Sequence, residues 1–362
     1  MGNKPCVEDM EGLNIYKGKK VLVTGHTGFK GCWLSIWLCS LGAKVIGYSS
    51  DNWNNDFLYK ETKLKDKLFA DVKGDIRDLK KVKETFDKYK PEIVFHLAAQ
   101  PIVRTSYDNP VETFEINVIG TANILDCIKN EDSVKSAVLI TTDKVYKNKE
   151  SSKGYNEEDE LGGHDPYSAS KACAEIVIDS YRKSFFNNTD KLIASARAGN
   201  VVGGGDMAKD RLIPDCIKSI NEGKTIDIRS PDSVRPWQHV LEPLSGYLLL
   251  GKSLIERKKE FASAWNFGPE KESQIEVKKV ADFVVKYAKK GSWKDTSDPN
   301  EKKHETKLLM LDIHKAKTTL KWHPKFDIQK TIKNTVEWYM NYKKDDPYMI
   351  CIKQIEEYEK SK

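Results

Sequence analysis

Residues 24–31 read Thr-Gly-His-Thr-Gly-Phe-Lys-Gly and join the apolar run Val21-Leu22-Val23 to a second apolar run from Cys32 to Leu41. A strand, a glycine turn and a helix start, in that order, make a phosphate cradle. Gly25 permits the tight turn, Gly28 lets the backbone approach a pyrophosphate with no Cβ in the way, and Gly31 lets the helix lie close on the sheet. Phe29 and Lys30 complete the loop, where unpaired helix N–H groups face the anion. His26, inside the turn, is expected to hydrogen-bond the loop or the cofactor. The motif with its flanking strand and helix predicts dinucleotide binding.

Strand and helix signals then alternate. Strands are expected at Val21–Thr24, Lys44–Tyr48, Val72 to Ile76 with its exit, Ile93–Ala99, Ser136–Thr142 and Leu192–Ala196. Helices are expected at Cys32–Leu41, with Leu34, Leu38 and Leu41 at core spacing, at Leu79–Tyr89 before Pro91, at Val111–Lys129 and from Pro166. Such alternation implies an α/β fold, a doubly wound parallel Rossmann sheet with a smaller C-terminal α/β substrate lobe. The later signals are less regular: helices at Leu212–Asn221, Leu241–Leu250, Val277–Ala288 and Ile328–Tyr342, and strands at Ile226–Arg229 and Ala264–Phe267. The expected division is 15–200 for the dinucleotide domain with 236–268 returning to it, 201–235 and 269–345 for the substrate lobe, and 346–362 as a charged, loosely packed tail.

Composition narrows the function. The chain carries 60 basic and 54 acidic residues, with lysines scattered rather than clustered among aromatics, which argues against a nucleic-acid platform. No stretch reads as a signal peptide or membrane span, so no membrane partner and a cytoplasmic location are expected. The seven cysteines form no Cys-x-x-Cys pair and the histidines show no metal spacing, so reduced packing thiols and no metal are expected.

Several positions carry candidate chemistry. Asp51 lies 20 residues beyond Gly31, near the end of the second strand, where an acidic residue grips the adenosine ribose and favours NAD over NADP. Ser49 and Ser50 compete for that place, and Asp51 can equally just start a loop. Asp75 and Ile76, at the third strand's exit, and Leu97, Ala98 and Ala99, where small residues let backbone lie against a cofactor, are further cofactor positions. The fifth strand ends in Thr141-Thr142-Asp143-Lys144-Val145-Tyr146, at the carboxyl edge where such sheets bind ligands. Tyr167 and Lys171 sit four apart on one helical face, where an ammonium lowers a phenol towards a useful general base.

The stretches TGHTGFKG (24–31), HLAAQPIVRTSY (96–107), TTDKVY (141–146), DPYSASK (165–171), ARAGNVVGGGD (196–206) and RPWQHVLEPLSGYL (235–248) resemble the extended short-chain dehydrogenase/reductase family. Within it they are most similar to the NAD-dependent sugar-nucleotide dehydratases, over roughly residues 18–340. The resemblance implies that Tyr167, helped by Lys171 and Thr142, takes the proton of a sugar 4-hydroxyl while the C4 hydride passes to NAD. Water then leaves across C5 and C6, and the hydride returns to C6. Familiar members carry Asp-Glu after the threonine; here Asp143-Lys144 stands there, a recurring feature of the CDP-glucose branch. Asp143 would be the protonated acid. Lys144 would be the C5 base, which requires a neutral amine depressed by burial beside Lys171, or an electrostatic stabiliser of the enolate, or merely structural.

By the same resemblance the substrate is a nucleotide sugar, CDP-glucose, used in making deoxysugars for a surface polysaccharide. Asn200, Arg211 and Arg235 would hold its diphosphate, and Gln100, Arg104 and Ser106 would line the sugar side. The arginines can also be plain surface residues paired with Asp206, Asp210 or Asp232. His96 reads as a satisfied buried histidine and Asn117 as a structural residue bonding a neighbouring strand. The helices Val111–Lys129 and Pro166–Phe186 resemble those that pair across a two-fold axis in this family, which implies a homodimer through a four-helix bundle. A nucleotide-sugar 4-epimerase shares the Tyr/Lys pair but needs no acid and base at C5 and C6, and a non-catalytic NAD-binding protein would lack the pair.

Overall fold

The computed structural model describes residues 10–50, 56–150, 153–208, 211–297 and 309–361. Asp51 and Asp210 lie outside them. Six strands come first: β1 Lys20–Thr24, β2 Lys44–Ser49, β3 Ala70–Lys73, β4 Ile93–His96, β5 Ser136–Ile140 and β6 Leu192–Ala198. Four short ones follow, β7 Val201–Val202, β8 Ile226–Ile228, β9 Val234–Pro236 and β10 Gln238–His239. Then come β11 Ala264–Phe267, β12 Gln274–Glu276 and β13 Trp293–Asp295. β11 lies beside β6 and completes a parallel seven-stranded sheet of order β3-β2-β1-β4-β5-β6-β11. β4, β5 and β6 are buried at every position and are mostly apolar, with His96, Ser136, Ser195 and Arg197 as the buried polar exceptions. Winding reverses between β1 and β4, and the chain leaving those two carboxyl ends parts to open a crevice.

The helices cover both faces. α1 Phe29–Ser40, α2 Phe57–Glu61, α3 Leu79–Tyr89, α4 Val103–Asp108, α5 Pro110–Phe114 and α6 Gly120–Asn130 belong to the first half. The expected single helix over Val111–Lys129 is thus interrupted: Glu115–Ile119 forms a π-helical turn between α5 and α6. α7 Pro166–Tyr181 begins on Asp165, whose carboxylate accepts from Ser168 N at 3.0 Å, with Pro166 in the first turn. The remainder are α8 Leu212–Asn221, α9 Leu241–Ile255, α10 Val277–Ala288, α11 His314–Thr318, α12 Ile328–Asn341 and α13 Pro347–Lys360. No described helix is long and apolar enough to cross a membrane.

One expectation fails here. The charged C-terminal stretch does not pack loosely; it is α13, whose Cys351, Ile355 and Tyr358 form a buried stripe at helical spacing while Lys353, Glu356, Glu357 and Lys360 face outward. Tyr358 meets Trp37 of α1 edge-on at 5.7 Å, and Trp37 Nε1 donates to Glu359 at 2.8 Å. α1 is therefore covered on the side away from the sheet as well, and every residue from Gly31 to Leu38 is buried, Leu34 and Leu38 among them. The third strand is also two residues earlier than expected. Gly74 already lies beyond the strand and packs against Tyr48, where a Cβ would strike the ring.

Candidate active site

A cleft of about 630 Å³ opens at the carboxyl ends of β1, β4, β5 and β6. Its floor is the glycine turn. Gly25 has φ 74°, and a Cβ on it would stand 2.8 Å from Ala98 N; one on Gly31 would drive into the Gly25 carbonyl. Gly28 opens α1 without a side-chain cap, so first-turn N–H groups remain for a ligand where Phe29, Lys30 and Gly31 line the cleft. These close approaches leave the shape a dinucleotide pyrophosphate requires.

Away from the floor, Ser49, Asp75, Ile76, Leu97, Ala98 and Ala99 also line the cleft. Burial pushes the Asp75 carboxyl up, but the Arg77 guanidinium, 2.7 Å away, outweighs it and holds it below its ordinary value. Arg77 was not anticipated; it also reaches Glu112 at 3.2 Å. His26 is not on the cleft lining. Its Nε2 faces Asp71 of β3 at 2.9 Å and its Nδ1 faces Ser49 Oγ at the end of β2 at 3.1 Å, so its side chain bonds the neighbouring strands instead of its own loop. Tyr59 also donates to Asp71, at 2.8 Å, and nothing in the sequence spacing linked these three.

Tyr167 and Lys171 come together on the cleft wall, one turn apart on α7. Lys171 Nζ donates to the Ile140 carbonyl at 3.0 Å; burial draws its pKa down to about 8, with Glu175 opposing. Burial pushes the Tyr167 phenol up to about 12, against the Thr142 hydroxyl. Thr142 Oγ1 pairs with Asp143 Oδ1 at 2.8 Å. Asp143 is buried behind Thr142 rather than on the cleft surface, in space that Gly199 leaves free: a Cβ there would lie 3.1 Å from Asp143 Oδ2. Burial raises the Asp143 pKa, with Lys144, Thr142 and Lys30 opposing. Lys144 is half-buried, not enclosed beside Lys171 as the neutral-amine reading supposed, and its Nζ stands 6.0 Å from the centre of the Tyr167 ring. Lys30 reaches in from α1, pulled down to about 8 by burial, with Asp143 opposing.

Asn200, Arg211 and Arg104 line the cleft. Three other expected substrate residues do not present their polar atoms to it. Gln100 is on the wall, yet its Nε2 donates to Thr113 Oγ1 at 2.9 Å and its Oε1 accepts from Ile102 N at 2.6 Å, so the amide shapes the loop. Ser106 is fully buried and donates to the Val103 carbonyl at 2.6 Å, as a serine inside a helix commonly does. Arg235 sits on β9, which pairs with β12, and is not on the lining. His96 is satisfied between Thr24 Oγ1 at 2.7 Å and Thr121 Oγ1 at 3.2 Å, and burial depresses it to about 3. Asn117 exchanges bonds with the Gln100 backbone and donates to Ser170 at 2.8 Å.

The sequence reading missed the buried pair behind the wall. Glu175 and Arg197 meet at 2.8 Å, and Glu175 also accepts from Thr141 at 2.5 Å and Ser195 at 2.8 Å. The available signal was Glu175 lying one further helical turn beyond Lys171.

A CDP-glucose 4,6-dehydratase of Salmonella typhimurium is 44% identical over 347 residues, covering 94% of this chain and 96% of its own. A CDP-paratose 2-epimerase of Salmonella typhi is 27% identical over 88% of this chain and 98% of its own. Among solved structures, a dTDP-glucose 4,6-dehydratase of Bacillus anthracis in complex with NAD superposes with a TM-score of 0.74 at 22% identity, covering 91% of this chain and all of its own. The GDP-mannose 4,6 dehydratase family matches residues 22–335, and with that span and the Salmonella typhimurium relative in agreement, the chain belongs to this family.

Proposed function

We propose that the chain converts CDP-glucose to CDP-4-keto-6-deoxyglucose by loss of water, with NAD held in the glycine cradle. The observation that carries this reading is the Thr142–Asp143–Lys144 turn set against the Tyr167–Lys171 face, in a chain 44% identical to a CDP-glucose 4,6-dehydratase. NAD, when bound, supplies the hydride acceptor for C4 and the hydride donor for C6.

Gly25, Gly28 and the first turn of α1 hold the pyrophosphate; Ser49, Asp75 and Ile76 take the adenosine side, and Ala98, Ala99 and Lys171 the nicotinamide side. Arg211, Asn200 and Arg104 face the diphosphate and sugar. Tyr167 takes the proton of the 4-hydroxyl. At about 12 its phenol is protonated near neutrality, so the Lys171 ammonium has to lower it in the reacting complex. Once C4 is a ketone the C5 proton is acidic, and Lys144, beside the Tyr167 ring, removes it or stabilises the enolate. Asp143, which burial favours in its protonated form, passes a proton through the Thr142 hydroxyl to the departing 6-hydroxyl. An epimerase needs only the Tyr/Lys pair, so a buried acid and a second lysine beside it favour elimination.

The same reading places the work in the cytoplasm and in a homodimer. Val111 and Ile119 on the α5–α6 segment, Ile176 on α7 and Phe185 in the π-helical turn Arg182–Phe186 that follows it are exposed apolar residues on the helices of the proposed four-helix bundle. The test is incubation with CDP-glucose, dTDP-glucose or GDP-mannose in deuterated water, with mass and NMR analysis. Water loss with deuterium at C5 from CDP-glucose alone is expected. Inversion at C4 without water loss would make the chain an epimerase, and turnover of another nucleotide sugar would replace the substrate.

A further inference from the structure

We propose that Glu175 is a positioning residue for the Tyr167–Lys171 pair: with Arg197 it clamps α7 to the ends of β5 and β6 and sets a fixed negative charge behind the Lys171 ammonium. This rests on the catalytic reading above. Lys171 and Glu175 are four residues apart on α7 and share a face. Two consecutive residues at the end of β5 hold them, the Ile140 carbonyl taking Lys171 Nζ at 3.0 Å and the Thr141 hydroxyl donating to Glu175 Oε1 at 2.5 Å. The other Glu175 oxygen accepts from Ser195 Oγ and Arg197 Nη2 of β6, both at 2.8 Å. Arg197 Nη1 continues to the Tyr146 hydroxyl at 2.8 Å, and Tyr146 donates to Asn266 at 2.7 Å. One carboxylate thus ties the helix bearing Tyr167 to the turn bearing Asp143 and Lys144.

A buried ion pair is weak evidence of stabilisation by itself, since well-packed apolar residues often do as well. Its placement behind a buried lysine gives it another use. Burial pulls Lys171 towards the neutral form, and Glu175 is the group that opposes this, while Lys30 adds to the pull. Glu175 keeps its charge because, although burial pushes it up, Arg197, Thr141 and Ser195 hold it below its ordinary value. The charged and titratable groups around Lys171 are Tyr167 and Glu175 on its own helix, Lys30 from α1, His96 from β4 and Arg197 behind Glu175 from β6. Asp143 and Lys144 approach Tyr167 from the turn after β5, and the π-helical turn before α6 meets α7 through the uncharged Asn117–Ser170 bond.

The test compares Glu175→Gln, Glu175→Asp and the double variant Glu175→Gln/Arg197→Gln, which leaves no unpaired guanidinium. Glu175→Gln is expected to lower kcat about tenfold with KM within about twofold, and to move the alkaline limb of kcat down by about one pH unit. The double variant should recover the wild-type melting temperature yet keep the displaced limb, and Glu175→Asp should keep the limb in place. A double variant with wild-type kcat and pH profile, or an Asp variant whose limb moves as far as that of Gln, overturns the proposal. A second readout needs no substrate: the pH dependence of chemical labelling of the Lys171 amine in the NAD-loaded protein, followed by peptide mass spectrometry. If the wild type turns over no nucleotide sugar, the catalytic reading falls, and labelling alone decides the clamp: an unshifted Lys171 in Glu175→Gln and in the double variant refutes it.

Discussion

In the proposed reaction Lys144 is the residue to test first, because its Nζ stands 6.0 Å from the Tyr167 ring, where the elimination calls for a group at the C5 proton. Lys144→Met should slow dehydration about 10²- to 10⁴-fold while C4 oxidation continues, so the absorbance of reduced cofactor accumulates in single turnovers. Equal loss of both steps would give the lysine a structural role instead. Gly31→Ala should abolish NAD retention, measured on the purified protein, because the added methyl meets the Gly25 carbonyl. At this scale the sequence was legible where spacing alone decides geometry: Tyr167 and Lys171 had to share a helical face. It was not legible where direction decides. Ser106 and Gln100 lie in the right loop, yet helix and loop hydrogen bonds turn their polar atoms away from the cleft. Arg235 lies on a strand that does not reach the lining.

Elements that carry their own pattern were read well, and those that depend on a distant partner were not. α8 and α10 fall where their apolar spacing put them, whereas the π-helical turn at Glu115–Ile119 has no hydrophobic signature and α13 looked like a charged tail until α1 lay beneath it. The α13 contact is open to measurement. Tyr358→Ala should cost about 3–5 kcal/mol in denaturant unfolding, since the ring is fully buried against Trp37 and Phe326. Beneath α13, Glu242 accepts from Tyr358 at 2.6 Å and from Phe326 N at 2.7 Å, and burial, with those bonds opposing, raises it to about 7 from 4.5. A raised carboxyl binds its proton more tightly when folded. Its contribution to stability is therefore full below about pH 4.5 and is lost as pH rises through about 7. Comparison of wild type with Glu242→Gln by urea unfolding across that window should show a difference of about 3 kcal/mol between its ends; parallel pH curves would mean that Glu242 does not titrate there.

For the whole molecule, alternation of strand and helix was enough to give the doubly wound sheet, because a parallel strand must be followed by a crossover before its neighbour can form. What no local pattern records is assembly. If α5–α6 and α7 form the proposed bundle, Ile176→Glu places a charge in its apolar face and should yield monomers by sedimentation equilibrium. An unchanged mass would move the interface elsewhere.

The covering of α1 by α13 also has a consequence in time. Trp37 and Glu359 are 322 positions apart. At about 5–20 residues per second, a ribosome needs roughly 15 to 65 seconds to travel between them. The face of α1 that carries Trp37 thus stays uncovered until α13 has been made. Trp33 meets Gly204 and His239 well before that, while Trp37 waits for Tyr358 and Glu359 through the whole interval.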